Sequence, residues 1–168
     1  IRNHYVGRTF IEPTQSIRSF GVKLKLNAAQ TLVKNKSIVL VDDSLVRGTT
    51  CHKIVKMLYD AGAKEVHVRI ACPEILYPDF YGVDMPTKKE LLANGKSNQE
   101  MCNYINAKSL KFLSISGLYK ALGFGKRNKL YPQISDHYFT GEYPVKPTDS
   151  LGERKITQLS LLSSKSNN

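Results

Sequence analysis

No stretch of this 168-residue sequence approaches the roughly 20 consecutive apolar residues of a membrane helix, and a run such as Ile38 to Val41 is far shorter. This argues against a helical span and against a membrane partner. Ile1 to Phe10 lacks the apolar core of a secretory signal. Cysteine is scarce and odd in number: Cys51, Cys72 and Cys102 form neither a disulfide framework nor a zinc pattern. A reducing cytosol is therefore the expected compartment. Acidic residues are few, 14 Asp and Glu against 25 Lys and Arg, so the formal net charge is +11. Such an excess implies anionic partners without saying which. No internal repeat is visible. What is there, 41% hydrophobic and 23% charged residues, suits a globular chain rather than a disordered one. The length suits about one domain.

The charge is uneven. Residues 1–36 carry Arg2, Arg8, Arg18, Lys23, Lys25, Lys34 and Lys36 against Glu12 alone, more than half of the net excess. Gly7, Pro13 and Gly21 punctuate this stretch, which reads as loop with a short helix around Ala28 to Val33. Patterning is stronger beyond it. Ile38 to Val41 predicts a strand buried on both faces, ending in Asp42 and Asp43. Cys51, Ile54, Val55 and Leu58 then fall on one face of a helix, with Thr49 or Thr50 as N-cap and Gly62 at its C-terminal end. Val66, Val68 and Ile70 alternate with His67 and Arg69 as a second strand. Strand, helix and strand over this distance predict a βαβ unit and a parallel sheet. Thr87-x-x-Glu90 and Ser97-x-x-Glu100 read as capping boxes opening helices over Lys88–Asn94 and Asn98–Ile105. Leu110 to Ile115 reads as a short strand, and Ser116 as the cap of a helix ending at Gly123. Four segments result: a basic lead-in (1–36), a βαβ core (37–86), a mainly helical part (87–145) and a loosely ordered tail (146–168).

The chemistry concentrates between Asp42 and Thr50. Open α/β sheets place ligands at the carboxyl ends of their strands, where Asp42 and Asp43 stand. Ser44, Leu45, Val46, Arg47 and Gly48 then lead to Thr49 and Thr50 at a helix start, whose free N–H groups and dipole suit a phosphate. The carboxylates can accept from sugar hydroxyls or hold Mg²⁺. Taken singly, paired aspartates read as a solvated turn and Gly-Thr-Thr as a plain cap. In this order, after an apolar strand, they describe a sugar-phosphate site. A Walker A loop is excluded because Gly-Lys-Ser/Thr is missing.

Val39 to Thr50 resembles the phosphoribosyl pyrophosphate (PRPP) motif of type I phosphoribosyltransferases. The flanks narrow the resemblance to the amidophosphoribosyltransferase family: Asn3 to Ile11, Lys23 to Asn27, Ala61-Gly62-Ala63, Tyr81 to Pro86 and Tyr138 to Pro144. The resemblance implies a type I phosphoribosyltransferase α/β fold, incomplete at its N-terminus, with a helical C-terminal part. It implies that Asp42 and Asp43 engage the ribose hydroxyls and Mg²⁺, while Ser44 to Thr50 wrap the 5′-phosphate. A mobile loop around Tyr5 to Phe10 would close over PRPP, with Arg8 and Lys23 as phosphate or pyrophosphate contacts and Tyr5 lining an ammonia channel. The implied reaction joins ammonia to PRPP, giving phosphoribosylamine and pyrophosphate, the first step of purine synthesis. None of His4, His52, His67 and His137 is assigned as a general base, because such a displacement rests on positioning and electrostatics.

The same resemblance implies a C-terminal portion of a longer enzyme, with a glutaminase domain supplying ammonia and the first part of the phosphoribosyltransferase fold both upstream; the start at Ile1 fits a fragment or a processed product. It further implies purine nucleotides as inhibitors and a homo-oligomeric full-length enzyme. Some members hold an iron–sulfur cluster through cysteines. The corresponding positions here are Asp79, Ser135 and Tyr138, so no cluster is expected, and Cys51, Cys72 and Cys102 read as small core residues. Two alternatives remain: another type I phosphoribosyltransferase acting in base salvage, and a PRPP-sensing regulator binding nucleic acid. The flanking segments weigh against the first. A small pyrophosphate-bearing substrate explains the clustered charge better than nucleic acid does.

Overall fold

The computed structural model describes residues 29–83 and 87–145. A single turn, α1 (Gln30–Val33), precedes strand β1 (Ser37–Asp42). Helix α2 (Thr49–Asp60) and strand β2 (Glu65–Ile70) follow. A 3₁₀ turn (Lys88–Glu90), helix α3 (Asn98–Tyr104) and strand β3 (Ser109–Phe112) come next, then α4 (Ile115–Ala121) and α5 (His137–Thr140). The sheet is parallel in the order β1–β2–β3, with Leu40 opposite Val68 and Val68 opposite Leu110. Parallel neighbours require crossovers, and α2 and α3 lie in them.

The alternation of β2 aims Val66, Val68 and Ile70 into the core, where they meet Cys51, Val55 and Leu58 of α2 and Met101, Cys102 and Ile105 of the α3 region. Val55, Val66 and Val68 are fully buried, each stabilising the fold by about 1.5–3 kcal/mol before entropy is counted. Helix α2 stops where the sequence expects. Ala63 N–H bonds Leu58 C=O at 3.0 Å and Gly62 N–H bonds Tyr59 C=O at 2.8 Å, a Schellman closure with Gly62 at φ 92°. Helix α4 closes the same way on Tyr119, Lys120 and Gly123.

Four local expectations are corrected. Strand β1 is not buried on both faces: Val39 and Val41 are 61% and 68% exposed, because no described residue covers that face. The α2 N-cap is Gly48, not Thr49 or Thr50, with no side-chain cap. The capping box at Thr87 forms but opens only the 3₁₀ turn to Glu90, because Leu91 turns extended and buries its side chain. Helix α4 is capped by Ser114, whose hydroxyl accepts from Gly117 N–H at 3.0 Å, two residues before Ser116. Ser97 caps α3 as read from the sequence.

Candidate functional site

Strand β1 delivers Asp42 and Asp43 to the carboxyl end of the sheet, and α2 begins six residues later. Between them the chain makes a short irregular loop whose outer residues, Asp43 and Arg47, are exposed. Asp42 carbonyl accepts from Ala71 N–H at 2.9 Å, and its carboxylate accepts from Asp43 N–H at 3.0 Å. Asp43 carboxylate accepts from Ser44 hydroxyl at 3.0 Å. Burial raises the Asp42 pKa; the Asp43 N–H lowers it and the Asp43 charge raises it again. Two adjacent carboxylates are a donor type that suits a divalent cation. Among the described residues no group of three or more His, Cys, Asp or Glu could hold a metal. Mg²⁺ is commonly held by only one or two carboxylates together with substrate oxygens and water, a donor type that Asp42 and Asp43 could supply.

The back of the loop is packed protein. Leu45 is buried in the core, so it serves a ligand only through its backbone. Val46 carbonyl accepts from Leu92 N–H at 2.8 Å. Gly48 is buried at φ 76°, and a Cβ there would lie 2.6 Å from Leu92 Cδ2 and 3.0 Å from Tyr104 Cε1. The space a Cβ would need at Gly48 is thus filled by side chains behind the loop. The first intrahelical bond of α2 is His52 N–H to Gly48 C=O at 2.9 Å, so the N–H groups of Thr49, Thr50 and Cys51 have no α-helical partner of their own. Arg47 Nε donates to Glu90 Oε1 at 3.3 Å, while Glu90 Oε2 accepts from the Thr87 amide and hydroxyl, each at 3.2 Å. Sequence patterning identifies Glu90 only as a capping residue and does not identify Leu92 or Tyr104 as buttresses. The capping box is the one signal in the sequence that points toward this brace.

The site residues Asp42 to Thr50 thus fall on one strand end, loop and helix start. Tyr5, Arg8 and Lys23 lie outside the described residues, as do the 1–28 lead-in, Asp84 to Pro86 and the 146–168 tail. The histidines read as structural are tied into the fold. His52 Nδ1 lies 2.9 Å from Tyr104 carbonyl, and His67 Nδ1 lies 2.8 Å from Ser109 hydroxyl. His137, 2% exposed, sets Nε2 at 2.6 Å from Asp79 Oδ1. Asp79 also accepts from the N–H groups of Tyr81 and Val83 at 2.9 and 2.8 Å. Beside it, buried Asp136 accepts from Tyr119 hydroxyl at 2.8 Å and forms a two-pronged ion pair with Arg127. Cys51 and Cys102 are buried and Cys72 is half-buried against the core. Burial and the Asp42 charge push the Cys51 thiol up to about 12; burial, then the Asp43 charge, push Cys72 to about 11. Protonated thiols are poor metal ligands.

Known proteins share this sequence and this geometry. The amidophosphoribosyltransferase of Rhizobium etli is 58% identical over 165 residues, which covers 98% of this chain and 33% of that protein. Amidophosphoribosyltransferase 2, chloroplastic, of Arabidopsis thaliana is 53% identical over 154 residues, 92% of this chain and 27% of that one. Among solved structures, the glutamine PRPP amidotransferase of B. subtilis complexed with ADP and GMP superposes with a TM-score of 0.70 at 49% identity, covering 86% of this chain and 31% of that chain. This chain thus spans about a third of the length of the relatives it matches. No protein-family model matches the sequence.

Proposed function

We infer the role of this chain from its membership of the amidophosphoribosyltransferase family, to which nearly its whole length is homologous. Its parallel sheet and flanking helices are part of a type I phosphoribosyltransferase fold. The chain is the phosphoribosyl-transfer part of such an enzyme: it binds PRPP and presents the anomeric carbon to ammonia, yielding phosphoribosylamine and pyrophosphate. The observation that carries this reading is that the Asp42–Asp43 pair at the end of β1 is followed, after one short loop, by the α2 amides, which have no backbone partner among the described residues.

Each residue has a role that follows from its chemistry. Asp42 and Asp43 accept from the ribose 2- and 3-hydroxyls and hold Mg²⁺ through oxygen. An ion held there would supply charge neutralisation for the departing pyrophosphate. The backbone from Ser44 to Gly48, with the hydroxyls and amides of Thr49 and Thr50, surrounds the 5′-phosphate, and Arg47 adds a guanidinium to its outer side. Arg8 and Lys23 bring positive charge to phosphate or pyrophosphate, and Tyr5 lines the route for ammonia. The ammonia comes from a glutaminase part outside this chain, in a homo-oligomeric enzyme working in a reducing compartment such as the cytoplasm. Purine nucleotides share a ribose 5′-phosphate with PRPP, so they inhibit by competing for the same loop; the B. subtilis relative is complexed with two of them, ADP and GMP.

The test is steady-state kinetics of the full-length enzyme with PRPP varied. D43N should lower kcat/KM for PRPP at least about tenfold, because a hydrogen bond to a charged partner contributes about 1.5–3 kcal/mol. R47A should lower it less. Unchanged PRPP kinetics in both would refute the assignment.

A further inference from the structure

The guanidinium of Arg47 is held by its Nε edge. Glu90 Oε1 takes that N–H at 3.3 Å, with the two side chains 44% and 50% exposed. Neither Nη of Arg47 has a hydrogen-bond partner among the described residues, so both terminal amino groups remain available to a ligand. Glu90 is not free to follow Arg47 about. Its other oxygen is fixed by Thr87, and the segment it opens is pinned to the loop by the bond from Leu92 N–H to Val46 carbonyl, two residues from Gly48. Glu90 therefore belongs to a brace that fixes the loop backbone at Val46 and the loop's one cation at Arg47.

We propose that Glu90 is a positioning residue for substrate phosphate: it orients Arg47 so that the Nη groups meet the 5′-phosphate of the bound sugar. An unbraced arginine loses about 2 kcal/mol of side-chain rotamer freedom when it is ordered by a ligand. Glu90 supplies part of that ordering before the ligand arrives, which raises affinity without touching the ligand. Lysine in place of Arg47 has no Nε edge to be gripped while its charge faces the phosphate, so the device requires a guanidinium. The proposal rests on the reading of Asp42–Thr50 as the PRPP site.

The experiment uses the full-length enzyme, with ribose 5-phosphate and inorganic pyrophosphate as competitive inhibitors against PRPP. E90Q keeps a carbonyl for the Thr87 cap, since capping boxes accept Gln, but turns an amino group toward Arg47. It should raise Ki for ribose 5-phosphate about threefold, the scale of an exposed ion pair, and leave Ki for pyrophosphate unchanged. The same substitution in an R47K background should change neither constant. A brace that merely stabilised the turn would weaken both inhibitors and do so in either background. Unchanged or tighter ribose 5-phosphate inhibition in E90Q, or an effect that survives in R47K, would overturn the proposal. Absence of ribose 5-phosphate competition in the wild type, together with a fully active D43N, would instead sink the functional reading and this inference with it.

Discussion

Replacing Gly48 by alanine tests how the phosphate loop is held. Two costs add at this position. The backbone sits at φ 76°, where a Cβ costs about 1–2 kcal/mol. The new methyl would also stand 2.6 Å from Leu92 Cδ2 and 3.0 Å from the Tyr104 ring, an overlap of the kind that costs about 1–3 kcal/mol when a packed core must shift. The expected total is about 2–5 kcal/mol, or a fall in Tm of roughly 10 °C for a domain of this size. Gly95 provides the control, since it has φ 71° and nothing within 4 Å of its hypothetical Cβ. G95A therefore measures the backbone cost alone, and the excess in G48A measures packing. Urea denaturation of both variants in the full-length enzyme, followed by a probe in this domain, gives the difference. In a G48A background, L92A removes the nearest clashing atom and should cost less than L92A in the wild type. Equal destabilisation in G48A and G95A would refute the claim that Leu92 and Tyr104 back the loop.

Three further outcomes follow from the buried polar cluster and the thiols. R127M should destabilise by about 3–5 kcal/mol in equilibrium unfolding, because it leaves the Asp136 carboxylate buried without its cation, whereas E142Q, at a side chain 57% exposed, should change stability by less than about 1 kcal/mol. Burial would raise the Asp79 pKa, but the Val83 N–H, His137 and the Tyr81 N–H outweigh it and hold the carboxyl below its ordinary value. The unfolded chain then binds more protons in acid, so this stabilisation is present above the unfolded pKa near 4 and is lost as pH falls through the folded value. D79N should flatten that acid slope in pH-dependent unfolding, with Asp136, also held low, supplying the slope that remains. Cys51 has the opposite sign: its raised value means stabilisation fully present below about pH 9 and lost as pH rises toward about 12. In the native protein at pH 8 its thiol should react with a disulfide reagent only as fast as the domain opens, and fast labelling of Cys51 would contradict its burial.

Periodicity made the βαβ unit legible because β2 and α2 each bury one face and nothing else competes. The Val66, Val68, Ile70 alternation and the Cys51, Val55, Leu58 stripe are the same residues that form the core. The loop was legible for a different reason: its chemistry lies in contiguous residues, Asp42 to Thr50, whose order is the signal. Strand β1 misled because four apolar residues in a row fit a central strand, whereas its outer face has no described neighbour. The Thr87 box misled because a cap specifies where a helix starts and not how far it runs. Leu91, buried at 1%, draws the chain out of helical geometry after one turn. The brace of Glu90, Leu92 and Tyr104 was hidden because it reaches the loop from 43 to 56 residues downstream, and single-sequence patterning carries no information about such distances.

The two sides of the loop divide the work of binding. Its back is fixed by apolar contact at Leu45 and Gly48 and by the Val46 carbonyl, interactions that do not involve a ligand and are complete without one. Its front carries what a sugar phosphate needs: two adjacent carboxylates, hydroxyls at Ser44, Thr49 and Thr50, and helix amides without helical partners. A ligand that brought only a phosphate would leave the carboxylates unbalanced, and one that brought only a cation would leave the amides unused. The proposed ligand, phosphoribosyl pyrophosphate with Mg²⁺, would answer both at once. On the proposed reading, recognition of a phosphorylated ribose lies in the order of these nine residues, and the fold's contribution is to pack their backs at Leu45 and Gly48.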